Sequence, residues 1–269
     1  MELKLGDVQT TALIPLSIKA SETLRKHPRI YDPKAVEIIK TLGIDTKPYD
    51  KFLSHEGVVA RTIMLDRQLM GIIDQRPDVV IVNIGSGFDN RFSRVDNKKI
   101  LWFDIDLPDA IAARKKAFVE RERVTMIAGN ALENGWCAEV SKALEGREST
   151  PVFLAEGLLM YFTLDQIKAF VEILRDNFPK GGTLIAELNG KFTLKHEKQH
   201  DTLKSTKAHF LSGTDSGQDI VDMTSGIRLV DEHNFNEEMR KHTIGGKLFA
   251  ALLPNVNNRW ATFEWGEVK

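Results

Sequence analysis

Glu156 ends the apolar run Pro151-Val-Phe-Leu-Ala155 and is followed by Gly157-Leu-Leu-Met-Tyr161. A carboxylate at the edge of such a run carries a desolvation cost unless an amine, a sulfonium or another cation faces it. An ion pair with Arg61 or Lys19 would serve as well. Arg61 stands beside Val58 and Leu65 on an apolar stripe, where an arginine either meets an anion or lets its stem snorkel to solvent. Lys19 is the second candidate for the same anion. Gly85-Ser86-Gly87 closes another apolar run, Val79-Val-Ile-Val-Asn-Ile84. Glycines there let the backbone turn sharply and approach a ligand with no Cβ in the way.

The dinucleotide fingerprint would place a third glycine three residues further on. Asn90 holds that position, and Asp89 beside it would repel a pyrophosphate. A ligand with no phosphate and with a cationic centre fits better. Asp106 ends a second run 19 residues after Gly87, where a carboxylate accepts from both hydroxyls of a ribose; the alternative is a helix cap. Asp104 shares its face but lies further from the edge. Asn130 follows a third run and is polar where an adenine edge would lie, unless it is a plain turn residue. With Ser86, Leu107, Ala131 and Gly157 flanking them, these residues describe a site matched to S-adenosylmethionine. Its carboxylate, ammonium, ribose and base would each have a partner.

The elements that must position these residues follow from periodicity. Residues 7–75 read as helical: Asp32 caps a helix with Pro33 at its first position and Gly43 beyond its end. A second helix runs from about Glu56 to Asp74, with Val58, Leu65, Leu69 and Ile72 on one face. From residue 78 short apolar strands alternate with helices, at 78–84, 100–106, 123–129, 151–156 and 182–188. A helix after Pro108 reaches about Glu122. Thr163 and Gln166 open another as a capping box, with Ile167, Phe170, Val171, Leu174 and Phe178 as its stripe. Residues 191–225 are polar, rich in Lys and His, and read as a helical insertion. Strands at 227–230 and 261–265 and a helix near 246–253 complete the chain. The expectation is one α/β domain over 1–269: a helical cap over 1–75, a parallel-sheet core over 78–190, a lid over 191–225 and C-terminal strands over 226–269.

The 269 residues carry 37 Lys and Arg against 38 Asp and Glu, a formal net charge of −1. No global positive field is present to gather nucleic acid or acidic membrane. The single Cys137 excludes an internal disulfide and any multi-cysteine metal site. No His/Asp/Glu spacing suggests a metal. The start, Met1-Glu2-Leu3-Lys4-Leu5-Gly6-Asp7, lacks the order of a secretion signal. No apolar run approaches the ~18 residues of a membrane span. A soluble, cytoplasmic protein is expected.

Four blocks, Val59-Ala-Arg-Thr-Ile-Met-Leu-Asp66, Val82-Asn-Ile-Gly-Ser-Gly-Phe-Asp-Asn-Arg91, Trp102-Phe-Asp-Ile-Asp-Leu-Pro108 and Ala155-Glu-Gly-Leu-Leu-Met-Tyr161, resemble the leucine carboxyl methyltransferase family. That family includes the tetracenomycin-type polyketide O-methyltransferases, to which the chain looks closer. The likeness runs from about Lys19 to the fifth strand and thins after residue 190. It implies a class I methyltransferase fold, Rossmann-like, whose seven-stranded sheet ends in an antiparallel strand and has helices on both faces. It further implies S-adenosylmethionine as methyl donor and an oxygen, typically a carboxylate, as acceptor. By position, Arg61 and Lys19 would hold the methionine carboxylate, Gly85 the turn, Asp106 the ribose, Asn130 the adenine side and Glu156 the methionine amine. The family often has an acidic residue where Asn130 stands, and a threonine where Asn90 stands.

Methyl transfer from a sulfonium is an in-line displacement, so alignment and exclusion of water are the protein's main tasks. A carboxylate acceptor, with a pKa near ~4, needs no base; a phenol, near ~10, would want one, and His209 or His233 could supply it. The segment Lys191–His209 has five lysines against Glu197 and Asp201. It is either a solvated face or a lid that attracts an acidic small molecule, with Phe192, Phe210 and Tyr161 as apolar walls. The competing readings are a protein C-terminal carboxyl methyltransferase and a donor-binding protein without catalysis.

Overall fold

A computed structural model of the chain describes residues 6–267 apart from Glu120 and Asn255, and not the side chains of Gln199 and Lys204. Expectations that touch residues 1–5, Glu120 or the Lys204 side chain lie outside the described residues. The chain runs α1 (Leu13–Thr23), α2 (Pro33–Leu42), α3 (Phe52–Gln75), β1 (Val80–Ile84), α4 (Arg91–Val95), β2 (Leu101–Asp106), α5 (Pro108–Ala117), β3 (Val124–Ala128) and α6 (Cys137–Ala143). It continues β4 (Val152–Ala155), α7 (Leu164–Asn177), β5 (Gly181–Leu188), α8 (Lys191–Lys195), α9 (Gln218–Met223), β6 (Arg228–Asn234), α10 (Asn236–Met239), α11 (Ile244–Leu252) and β7 (Arg259–Gly266).

Local chemistry sets several of these boundaries. The Asp32 side chain accepts from Ala35 N–H at 3.1 Å to start α2, and Gly43 ends it in the left-handed region at φ 64°. Thr163 and Gln166 exchange both bonds of the capping box that opens α7. α5 stops at Ala117, earlier than its polar sequence suggests, and Phe118 turns to extended backbone.

The seven strands form one sheet in the order β3-β2-β1-β4-β5-β7-β6. Strands β1 to β5 pair in parallel, and β7 runs antiparallel to both β5 and β6. Alternation along the buried strands splits the core between the two faces. Val80, Val82, Ile84 and Phe153 pack under α7 with Phe170 and Leu174. Ile81, Trp102 and Leu154 pack under α3 with Leu65, Leu69 and Trp260. The strand order reverses between β1 and β4, and ligands of open α/β sheets bind beyond the strand ends at such a point.

The segment between β5 and β6 differs from the expected helical lid. It is helical only at α8, at α9 and in two single turns, with irregular chain elsewhere. Its side chains bond the backbone in turns and across the loop: the Thr206 hydroxyl donates to Leu203 C=O, and Glu197 accepts from Phe210 N–H 13 residues on. Side chains that offer the backbone such partners compete with helix. Among the described residues, no helix is long and apolar enough to cross a membrane.

Candidate active site

At the switch point a cavity of about 800 Å³ opens over the carboxyl ends of β1 to β5. The residues expected to hold the donor or to wall the acceptor line it: Lys19, Arg61, Gly85, Ser86, Gly87, Asp106, Leu107, Asn130, Ala131, Glu156 and Gly157 at one end, Tyr161 and Phe210 at the other. The cavity thus has an ionic end and an aromatic end.

The turn after β1 is held from beneath. Gly85 and Gly87 have φ of 71° and 47°, a region that costs other residues about 1–2 kcal/mol. Arg114, itself buried, donates to the carbonyls of Gly87 and Asp89 and pairs with Asp104 at 2.7 Å. Asp104 also accepts from Asn83 and from the Trp102 indole. It is therefore a structural carboxylate, and Asp106 is the one that meets the cavity. Asp106 accepts Gly87 N–H on one oxygen and Leu107 N–H on the other, each at 2.8 Å. Each oxygen keeps a lone pair for a ligand hydroxyl. Burial raises its pKa, against those two bonds.

Glu156 meets two guanidinium groups, Arg61 Nε at 3.0 Å and Arg91 Nη2 at 2.5 Å. Neither contact is aligned as a hydrogen bond. Burial opposes its ionisation, but the charges of Arg91, Lys19 and Arg61 hold its pKa at about 2. Arg61 Nη1 lies 2.8 Å from Glu187, whose other oxygen accepts from Asn258 at 2.8 Å. Arg61 therefore neither waits unpaired for a ligand nor snorkels, because two protein carboxylates already hold it. Lys19 donates to Asp89 at 2.7 Å, and Asp89 pairs with Arg91 at 2.6 Å. Burial opposes ionisation of Asp89 too, and Arg91, Lys19 and Arg94 together hold its pKa well below the usual range. Asp89 is a clamped member of a network, not the bare charge that the sequence suggested. Arg91 and Arg94 extend that network to Asp66 and Asp32. Five carboxylates (Asp32, Asp66, Asp89, Glu156, Glu187) face four cations (Lys19, Arg61, Arg91, Arg94), leaving one negative charge uncompensated. A cationic ligand group complements that excess.

Asn130 lines the cavity, but its side chain is engaged in its own turn, accepting from Leu132 N–H and donating to Glu133. The buried hydroxyl of Ser86 has no hydrogen-bond partner among the described residues, and it faces a site where a ligand could supply one.

The aromatic end is built by the turn after β4 and by the insertion. Tyr161 and Phe210 lie with ring centroids 5.9 Å apart, and burial pushes the Tyr161 phenol up to about 12. Met160, Phe162, Phe192, Phe235, Phe249 and Leu253 widen the apolar wall. The histidines suggested by sequence are elsewhere. His209 is exposed and bonds Glu197, and His233 lies on β6 between Asp231 and Glu237. His196 and His200 line the cavity instead. Among the described residues, no lysine of the insertion lines it; Lys191 pairs outside with Asp215 and Asp219. Asp201 ties the insertion to the start of α3, accepting from Leu53 N–H at 3.1 Å and from both the N–H and hydroxyl of Ser54.

The sequence reading passed over Arg91, Glu187, His196 and His200. Glu187 carries the same signal as Glu156, a carboxylate near the end of a wholly buried strand. Arg91 and the histidines carried none: the partners that draw Arg91 into the site, Asp66 and Glu156, lie far along the chain, and the histidines reach the cavity only through the path of the insertion.

Comparison with known proteins bears on the family and the fold. The family model for leucine carboxyl methyltransferases matches residues 12–174. The tetracenomycin polyketide synthesis O-methyltransferase TcmP of Streptomyces glaucescens is 23% identical over 232 residues, covering 86% of this chain and 84% of that protein. Among solved structures, a candidate methyltransferase from Thermobifida fusca superposes with a TM-score of 0.61 at 11% identity, covering 95% of this chain and 94% of that one. Magnesium protoporphyrin IX methyltransferase ChlM from Synechocystis, with bound SAH, gives 0.53 at 12% identity over 88% and 100%. These two likenesses concern the fold.

Proposed function

We propose that this chain, which belongs to the leucine carboxyl methyltransferase family, transfers the methyl group of S-adenosylmethionine to an oxygen of a small, largely apolar acceptor. The observation that carries the reading is the cavity's division into an ionic end and an aromatic end at the switch point of the sheet. In the ionic end, Glu156 and the excess negative charge would face the donor's ammonium, with Lys19 and Arg61 beside its carboxylate. The lone pairs left on Asp106 would take the ribose hydroxyls. Gly85 to Gly87 admit close backbone approach, and Asn130, Ala131 and Leu107 border the base. The bound donor supplies an activated methyl on a sulfonium.

The chain's own contribution is alignment and dryness. Tyr161 and Phe210 hold the acceptor's apolar body, and the insertion closes over it through Asp201. Among the described residues no lysine of the insertion lines the cavity, so an acidic acceptor would feel those only at a distance. A carboxylate or a hydroxyl of the acceptor would be the nucleophile. Calorimetry with S-adenosylmethionine, its demethylated product and NADH tests the reading. Binding of the first two is expected; binding of NADH alone would overturn it.

A further inference from the structure

Two histidines of the insertion line the aromatic end, and their hydrogen bonds give them opposite tautomers. His196 Nδ1 lies 2.9 Å from Phe192 C=O. A carbonyl only accepts, so Nδ1 carries the proton, and in the neutral ring Nε2 presents a lone pair. His200 Nδ1 lies 3.2 Å from Leu203 N–H. That group only donates, so Nδ1 accepts and the proton sits on Nε2; Asp201 Oδ1, 3.8 Å from Nδ1, is beyond hydrogen-bond distance. Neither Nε2 has a hydrogen-bond partner among the described residues. Both rings are fixed by aromatic neighbours. His196 stacks on Phe192 with centroids 4.0 Å apart, and His200 stands edge-on to Phe210 at 5.6 Å.

From this pair we infer that the acceptor is a hydroxyl compound with a second oxygen beside the reacting one, and that His196 is the base. The step rests on the methyltransferase reading. The acceptor O–H proton passes to Nε2 of His196 as the oxygen–methyl bond forms. The carbon–sulfur bond breaks with its electron pair left on sulfur. His196 then returns the proton to solvent. His200 Nε2–H donates to the second oxygen, which positions the hydroxyl against His196. Burial favours the neutral form of His200, which the bond from Leu203 also requires. The charged and titratable groups around the pair are Glu197 and Asp201 on the same segment and Tyr161 across the cavity. None is a better base: Asp201 is engaged with α3, Glu197 with His209 and Phe210 N–H, and Tyr161 is held protonated.

The test is methyl transfer from labelled S-adenosylmethionine to 2-hydroxyacetophenone, phenol and benzoate, alongside donor calorimetry on each variant. 2-Hydroxyacetophenone is expected to have the highest kcat/KM. His196→Gln should lower its kcat by about 100-fold or more near neutral pH, with activity recovering as the pH rises and the phenol ionises unaided. His200→Asn should raise its KM about fivefold, the worth of one neutral hydrogen bond, and narrow its preference over phenol. Donor affinity should hold in both variants. A higher kcat/KM for benzoate, or a His196→Gln variant with unchanged kcat and pH profile, would overturn the proposal. A wild-type protein that fails to bind the donor would overturn the methyltransferase reading itself, and this one with it.

Discussion

Arg61 Nη1 lies 2.8 Å from Glu187 Oε2, joining a helix of the N-terminal cap to the fifth strand of the sheet. Glu187 is 1% exposed, so truncating it leaves a guanidinium beside Glu156 with half its compensation gone. Glu187→Ala is expected to destabilise the fold by about 3–5 kcal/mol, the range for breaking a buried pair from one side. It should also weaken donor binding, because Arg61 loses its anchor. Urea unfolding and calorimetry read the two effects. Wild-type stability in the variant would show the pair to be incidental.

Asp106 bears on the donor more directly. Asp106→Ala removes a charged acceptor, and affinity for the donor's demethylated product should fall about 10- to 100-fold. Asp104→Ala, by contrast, should act mainly on stability, since among the described residues the Asp104 side chain bonds only Arg114, Asn83 and Trp102. If the two substitutions affected affinity equally, the assignment of Asp106 to the ligand would fail.

A Cβ on Gly85 would stand 3.2 Å from Leu158 Cδ1, at a φ of 71°. Gly85→Ala should therefore cost about 1–2 kcal/mol from backbone conformation alone. Adding Leu158→Ala removes the contact but not the dihedral, so the double variant should recover little of the loss in melting temperature. Full recovery would mean that crowding, not φ, requires the glycine.

His55 is buried between Asp50 at 2.7 Å and Glu22 at 2.8 Å. Burial alone would lower its pKa, but the bonds to Asp50 and Glu22 outweigh it and raise the value above 6.5. A raised folded pKa gives a contribution that is complete below the unfolded value and lost as pH rises through the folded one. Glu22 behaves in the opposite sense. Burial works against its charge, yet the bonds from Arg29 and His55 hold it at about 2, so its contribution is present above 4.5 and lost as pH falls towards 2. Stability measured by urea unfolding should decline as pH rises above 6.5. His55→Gln should flatten that decline, and an unchanged slope would exclude His55 as its source.

Much of this was legible in the chain, for identifiable reasons. Periods of two and 3.6 residues located the strands and long helices, and Asp32, Gly43 and the Thr163 capping box marked helix ends through their own side chains. Glu156, Asp106 and the Gly85 turn could be read because each sits at the end of an apolar run. What could not be read depends on partners from elsewhere. The Arg61–Glu156 ion pair was one of the alternatives the chain offered, but the second carboxylate, Glu187, lies 126 residues from Arg61 and could not be read as its partner. Asn130 looked available because its own turn could not be seen. The insertion looked helical because its polar side chains hide the turn bonds they make. His196 and His200 gained their roles only when that segment folded over the strand ends.

The sheet order has a consequence for how the chain reaches this state. β7 is the last of the seven strands in sequence, yet it lies between β5 and β6. As the chain emerges during synthesis, β5 keeps an open edge until Arg259–Gly266 arrives, and β6 has no neighbour to pair with. Long-range pairings of this kind form slowly and leave strand edges exposed in the interim. A chain stopped before Arg259 would present the edge of a wholly buried strand to other chains, so aggregation rather than a smaller working domain is the expected fate of such a fragment.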